Sequence, residues 1–338
     1  MTNEPQSRVL TDSKSWTSIF RAPEWGLVLG IVVVLGLIYF LDPSHAFFSE
    51  FSRRTLLHQV GLFGVLSVGA AVVIIAGGID LSVGAVVALS SIVSAKLLTE
   101  WIGHPSASSP PSPPLVILVF LITLALGLAV GLGHAWMINW FRLPPFIATL
   151  ATMAGLRSLA TILCKNQPIT VRYETYRMLG KEPWWALGVF AIVAVIVSII
   201  MGATVVGRHL YALGGNEQAA RLSGLPTRRL KAFAYGLSGV LAALGGILFT
   251  GRSGQADPRL GVTYELYAIT AAVVGGCSLS GGVGSIRGTI LGLFLIQVVI
   301  KGTGFVVRWL DSTQVEGLVL GTVVVLAVAF NQRFRGRA

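Results

Sequence analysis

The chain has 338 residues, 54% of them hydrophobic and only 12% charged, against a charged share of roughly 25% in a soluble domain. A single soluble core of this length cannot bury so much apolar surface, which excludes a soluble globular domain and makes lipid the solvent for much of the chain. The formal net charge of +11 does not call for nucleic acid, because the basic residues sit in the gaps between apolar runs and form no stripe interleaved with aromatics.

The first 24 residues are mostly polar and carry Arg8, Lys14 and Arg21. No small-residue cleavage site follows the first apolar run, so residues 1–24 read as a cytoplasmic segment ahead of a retained helix. A spanning helix needs about 20 mainly apolar residues. The segments that meet or approach this length run from Trp25 to Leu41, Val60 to Ala76, Val83 to Leu98, Leu115 to Trp140, Phe146 to Leu163 and Trp184 to Val206. They continue from Ala232 to Phe249, Tyr264 to Leu279, Ile286 to Val307 and Val315 to Phe330, about ten in all. The expected fold is an all-α integral membrane protein with about ten transmembrane helices, broken helices among them, in one domain over residues 25–331. A basic cytoplasmic tail, residues 332–338, follows it with Arg333, Arg335 and Arg337.

An even number of spans puts both ends on one side, and the basic residues at both ends favour the cytoplasm. That choice also brings inside the stretch 207–231, with Arg208, Arg221, Arg228, Arg229 and Lys231. It leaves Arg53, Arg54, Arg172, Arg177 and Lys181 outside, against the general rule. Trp25, Trp101, Trp140, Trp184, Trp185 and Trp309 fall near the ends of apolar runs, where amphipathic rings favour the headgroup level. Gly26/Gly30, Gly127/Gly131, Gly288/Gly292 and Gly317/Gly321 each set two glycines on one helix face and are read as packing surfaces. Cys164 and Cys277 lie at or inside hydrophobic segments and read as small buried hydrophobes. The proline-rich stretch His104–Pro114 is expected to be a non-helical external connection.

Several polar residues stand out in chain order. Asp80, in GGIDLSVG, lies between two long apolar runs, where an ionisable group is costly and functional by default. Gly77, Gly78 and Gly84 permit a broken helix there, and Ser82 is a nearby donor or acceptor. Asp80 can equally cap the helix that follows. His134, Asn139, Thr149, Thr152 and Gln297 are polar at membrane depth, and Asn139 and Thr149 flank the Pro144–Pro145 break. Arg157 needs a partner or must reach the interface.

In the stretch 207–231, Gly214 and Gly215 interrupt the chain, and Asn216 is positioned to cap a short helix. Glu217 complements the positive end of the helix dipole. Gly224 fits the left-handed position after the helix, and Pro226 prevents continuation. About two turns result, too few to be stable alone in water, so neighbours or a partner must hold them. Val273–Ser285 (VVGGCSLSGGVGS) repeats the Gly/Ser interruption, and its backbone around Gly275, Gly276, Gly281 and Gly282 offers hydrogen-bonding groups to a polyol.

The segment NEQAARLSG-LP resembles the coupling-helix motif of permeases from ATP-driven (ABC) importers. GRHLYALGGNEQAARLSG, IIAGGIDLSVGAVVALS, LPPFIATLATMAGLR and YELYAITAAVVGGCSLSGGVGSIRGTILG are similar to the ribose/xylose/arabinose and autoinducer-2 permease family. The resemblance covers most of the chain from about Val60 onward; the Pro/Ser-rich insert near Ser106–Pro114 departs from it.

The resemblance implies a membrane-spanning subunit in the bacterial inner membrane that passes a monosaccharide or related small polyol. Its partners would be a cytoplasmic ATPase, a periplasmic solute-binding protein and a second copy or sister permease. It maps Asn216, Glu217, Ala219, Ala220, Arg221 and Gly224 onto the coupling loop. Asp80, Ser82, Asn139, Thr149, Gly275 and Gly276 are the pathway candidates. The chain has no GxxxxGK[ST] phosphate loop, so it is expected to be no enzyme and to hold no cofactor or metal, with Mg-ATP on the partner. The alternative from another class is an ion-coupled secondary transporter with Asp80 as its proton or cation site. A membrane enzyme is disfavoured by the lack of HExxH and GxSxG.

Overall fold

The computed structural model describes residues 24–102, 111–306, 316–322 and 325. The two basic termini, Trp309 and most of the stretch 104–114 lie outside the described residues. The helices, in order, are α1 (Glu24–Leu41), α2 (Glu50–Ile75), α3 (Val83–Lys96), α4 (Pro113–Trp140) and α5 (Pro145–Leu163). A two-residue strand β1 (Ile169–Thr170) leads to α6 (Glu174–Lys181) and α7 (Pro183–Ala203). Then come α8 (Val205–Gly215), α9 (Glu217–Leu222), α10 (Thr227–Ser253), β2 (Gln255–Ala256), α11 (Tyr264–Val274) and α12 (Ile286–Val306).

Among the described residues eight helices are long and apolar enough to cross a membrane, the stretch Val83–Trp101 counting as one. The all-α membrane architecture therefore holds, but the expected list of spans needs correction. The run Tyr264–Leu279 yields only the eleven residues of α11. At 1.5 Å per residue they rise about 16 Å, half of the roughly 30 Å hydrocarbon core. The run Trp184–Val206 stops at Ala203, where Thr204 accepts a hydrogen bond from Gly207 N–H at 3.2 Å and opens α8 in a new direction. Of Val315–Phe330 the described part is helical over 316–322. In the proline-rich connection, Pro113 and Pro114 belong to the first turn of α4, because the missing N–H is unsatisfied there in any case.

α2 is the axis of the bundle: 94% of its apolar window is buried, against 11% for α1 and 17% for α5. α3 and α10 complete the interior, while α1, α4, α5 and α7 turn leucine, isoleucine and valine outward as a lipid-facing surface. Two of the four glycine pairs act at helix contacts within the protomer. Gly127 and Gly131 bring α4 against the Gly239 and Tyr235 carbonyls of α10, and Gly288 and Gly292 bring α12 against Gly275 and Ala271. Gly26, Gly30, Gly317 and Gly321 have open space beside them.

One end of the bundle carries α8 and α9; the opposite end carries β1, β2 and α6. There Ile169 pairs with Ala256 and Thr170 with Gln255, antiparallel. Tyr176 of α6 is fully buried, its hydroxyl 2.6 Å from Ser94 Oγ, and burial pushes its pKa up to about 12. The basic residues that offend the orientation rule mostly have partners here. Arg54 pairs with Glu50 at 2.7 Å, Lys181 with Glu174 at 2.9 Å, and Arg177 Nε donates to Gly251 O at 3.1 Å.

Candidate functional site

α9 is a six-residue helix closed at both ends. Asn216 Oδ1 accepts from Ala219 N–H at 2.9 Å. After the helix, Gly224 sits at φ +81°, its N–H donating to Arg221 O at 3.1 Å while Leu225 N–H donates to Ala220 O at 3.0 Å. This pair of bonds is a Schellman motif, which satisfies carbonyls the short helix would otherwise leave open. Glu217 is bridged to Lys231 of α10 at 2.6 Å. Ala220 is buried against the protein, whereas Asn216, Glu217, Ala219, Arg221 and Gly224 are exposed. Leu222, which sequence reasoning passed over, is 80% exposed at the tip. Its only signal was an apolar residue inside an otherwise polar cap.

The residues just ahead of α9 touch both interruptions of the membrane helices. A Cβ on Gly214 would lie 1.9 Å from Ile75 O, at the end of α2, and 2.6 Å from Gly282 N. Gly77 (φ +83°), in the break between α2 and α3, has its own Cβ position 3.3 Å from Gly214 Cα. Gly281 (φ +82°) and Gly282 (φ +72°), between α11 and α12, close on Gly214 O and Gly215 Cα, each at 2.6 Å on the same measure. Gly282 N–H donates to Ile75 O at 2.9 Å, and Tyr211 of α8 donates its hydroxyl to Gly284 O at 2.9 Å. Three separate segments thus meet backbone to backbone, where no side chain fits. The glycine-rich interruption at Gly77–Gly84 and the one at Val273–Ser285 thus meet at a shared contact in space.

Asp80 is 4% exposed. Its Oδ1 accepts from Ser82 N–H at 2.9 Å and from Ser82 Oγ at 2.6 Å, and its Oδ2 accepts from Ser238 Oγ of α10 at 2.8 Å. The N-cap of α3 is Ser82, so Asp80 closes the turn ahead of the helix and ties it to α10. Thr149 is buried, and its hydroxyl reaches Pro145 O at 3.0 Å and Ile79 O at 3.2 Å, joining α5 to the same break. Asn139 Nδ2 donates to Arg228 O at 3.3 Å. Gly275 packs on Gly288, while Gly276 (φ +92°) is exposed. The N–H groups of Gly275 and Gly276 donate back to the α11 carbonyls of Ala271 and Val273, and that of Gly281 donates to Ser278 O in its own loop. His134 is a packing residue, 2.7 Å from Thr152 Oγ1.

A polar cavity of about 580 Å³ on the α9 side collects residues from both candidate sets, Asn139, Asn216, Glu217 and Arg221, with Gly77 and Gly78 at its wall. Asp80, Ser82, Thr149, Gly275 and Gly276 do not line it. Arg157 finds its partners at the other end of α5. It donates to the carbonyls of Pro258, Leu260 and Gly261 at 3.3, 3.0 and 3.1 Å. It thereby holds the non-helical segment ahead of α11 against α3, where a Cβ on Gly84 would meet Gly261 O at 1.9 Å. Among the described residues no group of three His, Cys, Asp or Glu is arranged to hold a metal ion.

Residues 53–328 match the family described as branched-chain amino acid transport system / permease component. The chain is 36% identical to the ribose import permease protein of Bacillus subtilis (strain 168), over 91% of this chain and 92% of that protein. It is 32% identical to the galactose/methyl galactoside import permease protein of Escherichia coli (strain K12), over 91% and 94%. It is also 32% identical to the ribose import permease protein of Haemophilus influenzae, over 91% and 92%. No solved structure matches it significantly.

Proposed function

Because this chain belongs to the branched-chain amino acid transport system / permease component family, we propose that it is the translocation subunit of an ATP-driven importer in the bacterial inner membrane. The solute class is a monosaccharide or a related small polyol, in line with the relatives' names as ribose and galactose import permeases. The chain is a multi-pass transport subunit and carries out no bond-breaking chemistry of its own.

The observation that carries the coupling role is the contact of Gly214 and Gly215 with both membrane breaks, one residue before a capped helix that offers Leu222 and Arg221 to a partner. A cytoplasmic ATPase holding Mg-ATP docks on Asn216–Gly224. Its closure displaces α9, and the backbone contacts pass the displacement to the α2–α3 and α11–α12 breaks, since close-packed groups transmit strain. Asp80, Ser82 and Thr149 keep the first break in shape, Gly275 and Gly276 belong to the second, and Asn139 faces the cavity between them and α9. A second copy or sister permease supplies the other wall of the pathway, and a periplasmic binding protein delivers the solute at the opposite face. The ion-coupled alternative is not supported: the relatives are import permeases, and both carboxylate oxygens of Asp80 already accept hydrogen bonds.

Co-expression with an ATPase from the same operon tests this reading. The native chain should retain the ATPase through purification, and Glu217→Lys, which sets two cations against each other at Lys231, should weaken retention. A purified chain that moves sugar alone under an ion gradient would overturn it.

A further inference from the structure

A second cavity, of about 830 Å³, opens among α2, α10, α11 and α12 toward the face opposite α9. Its volume falls in the range of about 300–1,000 Å³ typical of small-molecule sites. One wall is aromatic: Phe63 lies 4.5 Å from Tyr267, 4.8 Å from Tyr264 and 5.2 Å from Phe249, ring centre to ring centre. The other wall is polar. Gln297 of α12 is 5% exposed and its Nε2 has no hydrogen-bond partner, and Gln59 Oε1 of α2 is likewise buried without one. Both residues line the cavity.

A buried amide left unsatisfied costs about 1–3 kcal/mol, and each of these atoms is closed off from solvent; turning either amide into the cavity that its residue lines would let an occupant with both functions satisfy it. The charged groups of the lining are in part engaged already. Lys301 donates to Ser52 O, and Glu316 accepts from the Tyr267 hydroxyl. What is offered to an occupant is the amides of Gln59 and Gln297, the guanidinium of Arg252 and ring faces, donors and acceptors beside an apolar wall that suit a hydroxylated ring. We infer that this cavity is a docking site for a neutral monosaccharide inside the single protomer, with Gln59 and Gln297 holding hydroxyls and the Phe63–Tyr264–Tyr267 wall taking the apolar ring face. The proposal rests on the importer reading only for the choice of solute. It places a station for that solute apart from any pathway formed between two subunits.

Cysteine accessibility in the full chain, held in lipid nanodiscs, tests it. Gln297→Cys and, as a second variant in case the first fails to fold, Gln59→Cys are labelled with a small water-soluble thiol reagent. The native chain, with Cys164 and Cys277 both buried, serves as the blank. Both positions should react, and D-ribose or D-galactose at ten times its Kd should slow labelling by about tenfold. A cysteine at Ser223, on α9, should react at the same rate with and without sugar.

Failure of both lining positions to react, or reaction unchanged by either sugar, overturns the site. So does protection by D-gluconate alone, which would mark an anion site. ATP-driven uptake of the same sugars by the reconstituted importer is read separately. Protection without uptake keeps the site and removes the importer reading; uptake without protection does the reverse.

Discussion

At Gly214 and Gly215, neighbouring glycines of the same loop carry opposite demands. Gly214 has no room for a methyl group, whereas a Cβ on Gly215 would meet nothing within 4 Å. Overpacking of this kind costs about 1–3 kcal/mol. Gly214→Ala should therefore uncouple ATP hydrolysis from uptake, while Gly215→Ala leaves uptake near the native level. Equal loss in both variants would show that the contact with Ile75 and Gly282 is not what matters. Arg157 makes a similar case from polarity. Its three carbonyl bonds are of the charge-assisted kind, each worth about 1.5–3 kcal/mol when lost. Arg157→Leu should lower the midpoint of thermal unfolding and release residues 257–261 to proteolysis. Arg157→Lys should recover only part of this, because an ammonium lacks the planar fork that reaches several carbonyls at once. The arginine was conspicuous in the sequence, but its partners were invisible, since backbone carbonyls a hundred residues away leave no mark on composition.

Among the elements, α9 was the most legible. Asn216, Gly224 and Pro226 carry local information, because capping depends on residues within one turn of the helix end, and the helix lies where they place it. Asn216→Ala should cost about 0.5–2 kcal/mol of local stability. Faster hydrogen exchange at Ala219 and Ala220 without global destabilisation would confirm it. Gly224→Pro is harsher. Proline fixes φ near −65°, far from the observed +81°, and removes the N–H that closes on Arg221. That variant should insert normally yet lose transport, and normal solute-stimulated ATP hydrolysis would contradict the docking role. α11 and α6 were the least legible. Hydropathy carried the first run past Val274, because glycine and serine score as tolerable in a membrane window whereas the backbone stops there. α6 carries its apolar residues on one face only and so escapes a search for unbroken apolar runs.

For the whole molecule, the expectation concerns sidedness. In sealed inner-membrane vesicles a cysteine at Ser223 should react only from the cytoplasmic side and one at Gln255 only from the other. Labelling of both from one side would refute the orientation. Length, hydropathy and the placement of Lys and Arg were sufficient, in the sequence alone, to establish a multi-helix membrane protein with a capped loop between long apolar runs. These are properties of segments, set by the transfer of each side chain and each backbone group between water and lipid. The convergence of Gly77, Gly214, Gly281 and Gly282, the carbonyl partners of Arg157 and the placing of Gln59 and Gln297 on one cavity were decided by the tertiary structure. Each joins segments far apart in the chain, and which distant backbone comes within contact distance is fixed only when the helices pack.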